Sequence, residues 1–319
     1  MAYGFIPFLL AQVALWNVTG DSRFAQIGTL RLHYVDWNGK GDALIFIPGG
    51  CDTAFVFGDV ATRLAARFRV LGLTARGCGQ SDRPASGYGM DHQVADILGF
   101  MDAQSIQRAT LIGHSSGAGK ITQFARKYPA RVNRLVYLDP VYRYVALGLE
   151  EKIGAGITAS LGGSRLDSLE RWKQEARSWE LGAWSPAMDR HLGEILAAGP
   201  DGRVRYKNPT PPAWRKEVTG DMKAGLYFET RIAHPALAIF AMDTDRDRIQ
   251  RLDHGARKDL RPLVVDTERH RREEIAAFRA NGQHVQVVEL RHAAHYVFVE
   301  RPDEIARLIT AFLARGAKP

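Results

Sequence analysis

Cysteine is nearly absent: Cys51 and Cys78 are the two in 319 residues. A framework of several disulfides is therefore excluded, and an apolar core has to hold the chain. Both cysteines fall on loops at strand ends that read as neighbours near one site, and of the two outcomes left open, bridged or unbridged, the unbridged one is favoured. Long apolar runs are also missing. The stretch within residues 1–16 is too short to span a bilayer comfortably. It resembles the core of a signal peptide, but no charged residue precedes it and the best cleavage site is Leu9-x-Ala11. Two readings of residues 1–20 stand: an incomplete export signal, or an arm that packs on the domain or swaps between subunits. Compartment (cytoplasmic or exported) and oligomeric state stay open on these residues.

Charge of one sign is not segregated. The formal net charge is +8, yet Arg246-Asp247-Arg248 and Glu268-Arg269-His270-Arg271-Arg272-Glu273-Glu274 interleave acids with bases. That describes a solvated helical face. No basic stripe with interleaved aromatics occurs, so no nucleic acid is expected as a partner. Metal and cofactor motifs are lacking too. There is no H-E-x-x-H, and His292 with His295 has no glutamate at the required offset. Gly119-Lys120 would need glycine at His114 and a hydroxyl residue at Ile121 to form a phosphate loop. No internal repeat is present.

Against those absences, 45% of the residues are hydrophobic, enough for a large core. Residues 29–37 alternate, with Leu30, Leu32 and Tyr34 opposite Arg31, His33 and Val35, as an early half-buried strand does. Residues 43–47 are continuously apolar and end in Pro48-Gly49-Gly50-Cys51. Residues 69–73 lead into Arg76-Gly77-Cys78-Gly79-Gln80-Ser81-Asp82-Arg83-Pro84. Asp91 reads as the cap of a helix carrying Val94, Ile97, Leu98 and Met101 on one face. A strand at 109–112 and a helix at 118–127 enclose Gly113-His114-Ser115-Ser116-Gly117, and a strand at 134–138 ends in Asp139-Pro140. Strands at 235–242 and 285–290 follow, and Pro302 opens a last helix with Ile305, Leu308, Ile309, Phe312 and Leu313 inward.

These motifs, in this order, resemble the α/β-hydrolase superfamily over about residues 24–140 and 233–315. The resemblance implies an α/β fold: a mostly parallel eight-stranded sheet flanked by helices, with an inserted helical lid. Its core would be residues 21–140 plus 234–319 and its lid 141–233. Ser115 is then the nucleophile, lifted on a strained strand-to-helix turn. His295, in the loop before the last helix, is the base, with His292 as the fallback. The oxyanion hole would be built from backbone amides of Ser116 and of Gly50 or Cys51. Pro48 stands where the family mostly has a supporting histidine, a departure that does not remove those amides.

The triad acid is ambiguous. The family's usual turn reads Ala241-Met242-Asp243-Thr244 here, with threonine at the acid's place, so Asp243 and Asp245 serve only after a shift. A second family solution puts the acid one strand earlier. Asp139 stands there, 24 residues beyond Ser115 (139 − 115), and is the favoured choice.

Within the insert, Leu166, Leu169, Trp172, Ala176 and Trp179 share helical spacing, and Ser185-Pro186 starts a helix with Met188, Leu192, Ile195 and Leu196. Packing is the expectation for each of Trp172, Trp179, Trp184 and Trp214 singly; together they suggest an apolar pocket roof. A serine nucleophile implies acyl transfer, hence a carboxylic ester hydrolase acting on a small molecule through an acyl-enzyme, with no cofactor. The alternatives are a C–C hydrolase, perhydrolase or iminopeptidase on the same framework, or a non-catalytic ligand-binding protein of this fold.

Overall fold

Apolar and β-branched runs become the strands of one twisted sheet. In the computed structural model the described residues are 20–143, 148, 152, 167–177, 182–228, 230–250 and 254–315. The apolar segment at 1–19, Leu166 and Trp179 lie outside them. In chain order come β1 (Asp21–Ile27), β2 (Leu30–Asp36), β3 (Ala43–Ile47), helix α1 (Gly58–Leu64), β4 (Arg69–Leu73), α2 (Met90–Ala103), β5 (Ala109–Ser115), α3 (Ser116–Lys127) and β6 (Val132–Pro140). After the insert follow β9 (Ala236–Ala241) and β10 (Val285–Leu290), numbered past two short insert strands.

The eight-stranded sheet has the order β1-β2-β4-β3-β5-β6-β9-β10. Its first two strands pair antiparallel, as do β2 and β4, and every later neighbour is parallel. All five residues of β3 and all six of β9 are buried. Strands covered by helices on both faces read as continuous apolar runs for that reason. Two buried clusters fill the two faces, one around Phe100, Phe124 and Phe240, the other around Phe46, Phe57 and Phe298. Strand order reverses at β3, with β4 on one side and β5 on the other, which opens a crevice beyond their carboxyl ends.

Helix α2 starts differently from expectation. Its N-cap is Gly89, which has no side chain to offer, and Asp91 lies inside the first turn, where it meets Lys127 at 3.1 Å. The orphan amides are satisfied by carboxylates from the insert. Glu217 accepts from the amides of Gly87, Tyr88 and Gly89 at 3.1, 2.6 and 3.0 Å, and Asp221 accepts from that of Met90 at 2.6 Å. The helix dipole favours negative charge at that end.

The insert holds α4 (Leu169–Ala176), α5 (Pro186–Ile195), a two-stranded hairpin of β7 (Leu196–Ala198) and β8 (Val204–Tyr206), and α6 (Pro212–Lys223). Ser168 and Ser185 cap α4 and α5 by accepting from Arg171 and Met188 amides. The hairpin is an addition to the purely helical expectation. Trp172 is buried in one cluster with Met188, Leu192 and Val204, while Trp184 and Trp214 are partly buried.

Beyond β9 come α7 (Thr244–Gln250) and α8 (His254–Arg279), then α9 (Val297–Glu300) and α10 (Pro302–Ala314). The charged run on α8 is only partly a solvated face. Arg269, Arg272 and Glu273 are exposed, but Arg271 and Glu274 turn inward and are buried.

Candidate active site

Ser115 ends β5 with φ 49° and ψ −124°, a conformation that costs a non-glycine residue on the order of 1–3 kcal/mol. It is held by close packing on both sides. A Cβ at Gly113 would lie 2.6 Å from the Gly117 carbonyl oxygen, and one at Gly117 would lie 2.1 Å from that of Ile47. Glycine is thus required at both ends of the turn. The hydroxyl stands at the N-terminus of α3, where the helix dipole favours developing negative charge.

Strand register brings the second group alongside. Parallel pairing of β5 with β6 sets Ser115 opposite Pro140, so Asp139 sits at the same sheet edge. Asp139 is fully buried with φ 40°. His295 arrives from the loop between β10 and α9, and its Nδ1 lies 2.6 Å from Asp139 Oδ2. A carboxylate only accepts, so Nδ1 donates and the neutral ring keeps Nε2 as its basic nitrogen. The other oxygen, Asp139 Oδ1, accepts from the Ala241 amide at 2.8 Å and from the Tyr142 hydroxyl. Arg271 stacks on the Tyr142 ring at 4.6 Å and donates to the Ala241 carbonyl at 2.5 Å.

His114 supports His295 from below. It is buried, its ring lies 4.5 Å from that of His295, and its Nε2 donates to the His295 carbonyl at 3.2 Å. Burial first, and the neighbouring His295 second, hold its pKa well below the usual histidine value, so it stays neutral.

The other candidates are placed elsewhere. Asp245 accepts from Thr267 at 2.9 Å and lies 3.8 Å from Arg271, facing α8. Asp243 lies 3.4 Å from Arg291. His292 is on the surface, its side chain 69% exposed and 3.0 Å from Asp247.

The loop after β3 closes over the turn. The Gly50 amide donates to Ser116 Oγ at 2.9 Å. Next to it, Cys51 is bridged to Cys78, which corrects the expectation of unbridged thiols. The physical reason is topological. Strands β3 and β4 are parallel neighbours, so the loops leaving them emerge at one edge and bring the two Cα atoms to 5.1 Å. Asp52 then receives the Tyr296 hydroxyl at 2.9 Å and lies 3.4 Å from Nε2 of His191 on α5. Burial lowers the His191 pKa to about 3, so that contact sets a neutral ring beside the Asp52 side chain. On its other side, His191 Nδ1 is 2.9 Å from the Thr53 hydroxyl.

Tyr142, His191, Tyr296 and Arg271 were not singled out by sequence. Tyr142 and Tyr296 had a signal, since each is an aromatic within three residues of a candidate. His191 and Arg271 had none, because distant insert and α8 residues carry no local motif. A hydroxyl on a strained turn at the same sheet edge as a carboxylate-backed imidazole is the arrangement that delivers a nucleophile and shuttles its proton.

The comparisons with known proteins agree with this architecture. Over 138 residues the chain is 35% identical to 2-(acetamidomethylene)succinate hydrolase of Mesorhizobium japonicum, covering 42% of this chain and 49% of that protein. Over 112 residues it is 39% identical to N-formylmaleamate deformylase of Pseudomonas putida, covering 35% and 42%. These matches thus span about half or less of the curated relatives' length. The crystal structure of E-2-(acetamidomethylene)succinate hydrolase superposes with a TM-score of 0.65 at 23% identity, covering 92% of this chain and 99% of that one. Residues 44–308 match the alpha/beta hydrolase family, and with the sheet order above this chain belongs to it.

Proposed function

We propose that this hydrolase transfers an acyl group to water through an acyl-enzyme, with carboxylic esters of small molecules as its first substrate class. The observation that carries the reading is the buried Asp139–His295 bond at the sheet edge where Ser115 stands on its strained turn. Ser115 attacks the carbonyl carbon as its proton passes to His295 Nε2. The leaving alcohol takes that proton, and water then repeats the sequence to release the acid. Asp139 holds the ring and stabilises its cation. The insert serves as a lid, with His191 tying α5 to the loop after β3.

A second reading, cleavage of small N-acyl amides, is favoured by the names of the two relatives, which refer to an acetamidomethylene and an N-formyl compound. Both readings use the same acyl-enzyme. One experiment separates them: p-nitrophenyl esters of increasing chain length assayed beside N-formyl and N-acetyl amides. A fluorophosphonate should label wild type and not Ser115→Ala. Labelling that persists in the variant, or maps to Ser116, would refute the nucleophile. Tight ligand binding with no turnover on either series would favour the non-catalytic alternative.

A further inference from the structure

We infer that the Ser116 side chain, in addition to its backbone, is a donor to the oxyanion, relaying the Gly50 amide onto the reacting oxygen. Ser116 is 5% exposed and its Oγ accepts from the Gly50 amide at 2.9 Å. A hydroxyl has one proton to give besides its lone pairs. Among the described residues no acceptor takes that proton, although the side chain is buried. The Gly50 amide is its one hydrogen-bond partner among the described residues, which leaves the proton available to a bound group.

Its position is beside the nucleophile. Gly49 is close enough to Ser115 that an added Cβ would lie 2.5 Å from Ser115 Cβ and 3.1 Å from Ser115 Oγ. Gly50 is the next residue, so the hydroxyl held by its amide sits between that loop and the turn. The Gly50 amide is engaged by the Ser116 hydroxyl. The bridge from Cys51 to Cys78 pins the adjacent residue of the same loop.

In the reaction Ser115 Oγ bonds to the carbonyl carbon, its proton moves to His295 Nε2, and the π pair moves onto oxygen. The Ser116 amide and the Ser116 hydroxyl both donate to that oxygen. The Gly50 amide polarises the hydroxyl, and no proton is transferred along the relay. When the C–O bond to the leaving group breaks, the pair returns and the alkoxide takes the proton from His295.

The inference rests on the serine-hydrolase reading above, and its test separates the two. Wild type, Ser116→Ala and Ser116→Thr are compared with p-nitrophenyl acetate and with a fluorophosphonate, with melting curves as a folding control. Loss of one oxyanion donor costs on the order of 100-fold in kcat. Ser116→Ala should therefore lose about 10-fold to 100-fold in kcat with KM little changed, and phosphonate labelling should slow by a similar factor. Ser116→Thr, which keeps the hydroxyl, should recover most of both. If Ser116→Ala matches or exceeds wild type, the hydroxyl only closes the loop, the Gly50 amide serves directly, and this inference is wrong while the hydrolase reading stands. A wild type that the phosphonate does not label would sink both.

Discussion

Tyr142 donates its hydroxyl to the Asp139 oxygen that His295 leaves free. The phenol therefore shares a buried carboxylate with the candidate base, and it does so from three residues further along the same strand exit. Hydrogen bonding to a charged form stabilises that form and draws its charge away from other partners. Without the phenol, more of the Asp139 charge falls on His295 and the imidazolium is held more tightly. Tyr142→Phe should then shift the pH at which the base works more than the plateau kcat, which should stay within about 10-fold of wild type. The acid limb of the kcat/KM profile against pH should move to higher pH. A limb that stays in place while stability alone falls would show that Tyr142 only packs.

The acid itself is tested by three substitutions. Asp139→Asn keeps the shape but offers an amide where His295 Nδ1 needs an acceptor, which sets the wrong ring tautomer. Turnover should fall by about 10⁴, as it does where a triad aspartate is changed this way, with the fold retained. Asp245→Asn and Asp243→Asn should stay within a few-fold of wild type, since these carboxylates face Thr267 and Arg291. A crippled Asp245→Asn beside a near-normal Asp139→Asn would move the acid to the later strand.

Much of this was readable from local pattern. The sheet strands are short apolar runs between glycine-rich turns, and the turn holding Ser115 has glycine at both positions where a side chain would strike backbone. Asp139 was readable as a candidate because it stands at the end of the strand after the nucleophile, where the resemblance places the family's second solution for the acid. What escaped was non-local. Gly89 gave no hint that Glu217 and Asp221 would cap α2 from a helix more than a hundred residues away. Arg271 looked like one charge in a solvated run until α8 turned it inward. The cysteines were legible as neighbours at strand ends, but the bridge between them was not, because it depends on how closely the parallel β3 and β4 bring the two loops together.

The bridge also makes a measurable claim. It joins residues 27 apart, and closing a loop of that size removes about 3 to 4 kcal/mol of chain entropy from the unfolded state in the entropic model. The double change Cys51→Ser with Cys78→Ser should lower the urea midpoint accordingly. Because Cys51 follows Gly50, kcat should drop as well, with reductant reproducing the effect on wild type. Finding two titratable thiols in unreduced, unfolded protein would remove the basis for both expectations.

Lys120 supplies a prediction about pH. It lies one helical turn after Ser116 on α3 and is 3% exposed. Burial lowers its pKa from 10.5 to about 8, against the opposing pull of Asp52 and Asp96. Asp96 is already engaged by Arg76 at 2.6 and 2.5 Å, which limits what it gives the lysine. Between those two pKa values the unfolded chain binds more protons than the folded one, so stability rises with pH across that window. Below about pH 8 the penalty is fully present, amounting to about 3 kcal/mol. Lys120→Met removes the buried charge and keeps a similar length. It should be more stable than wild type at pH 7 by about 1 to 3 kcal/mol. That advantage should shrink as pH rises toward 10. Urea unfolding at pH 7 and at pH 9.5 measures both. A variant that is less stable at pH 7, or whose difference from wild type ignores pH, would mean the ammonium is well solvated or well paired in the fold and carries no such penalty.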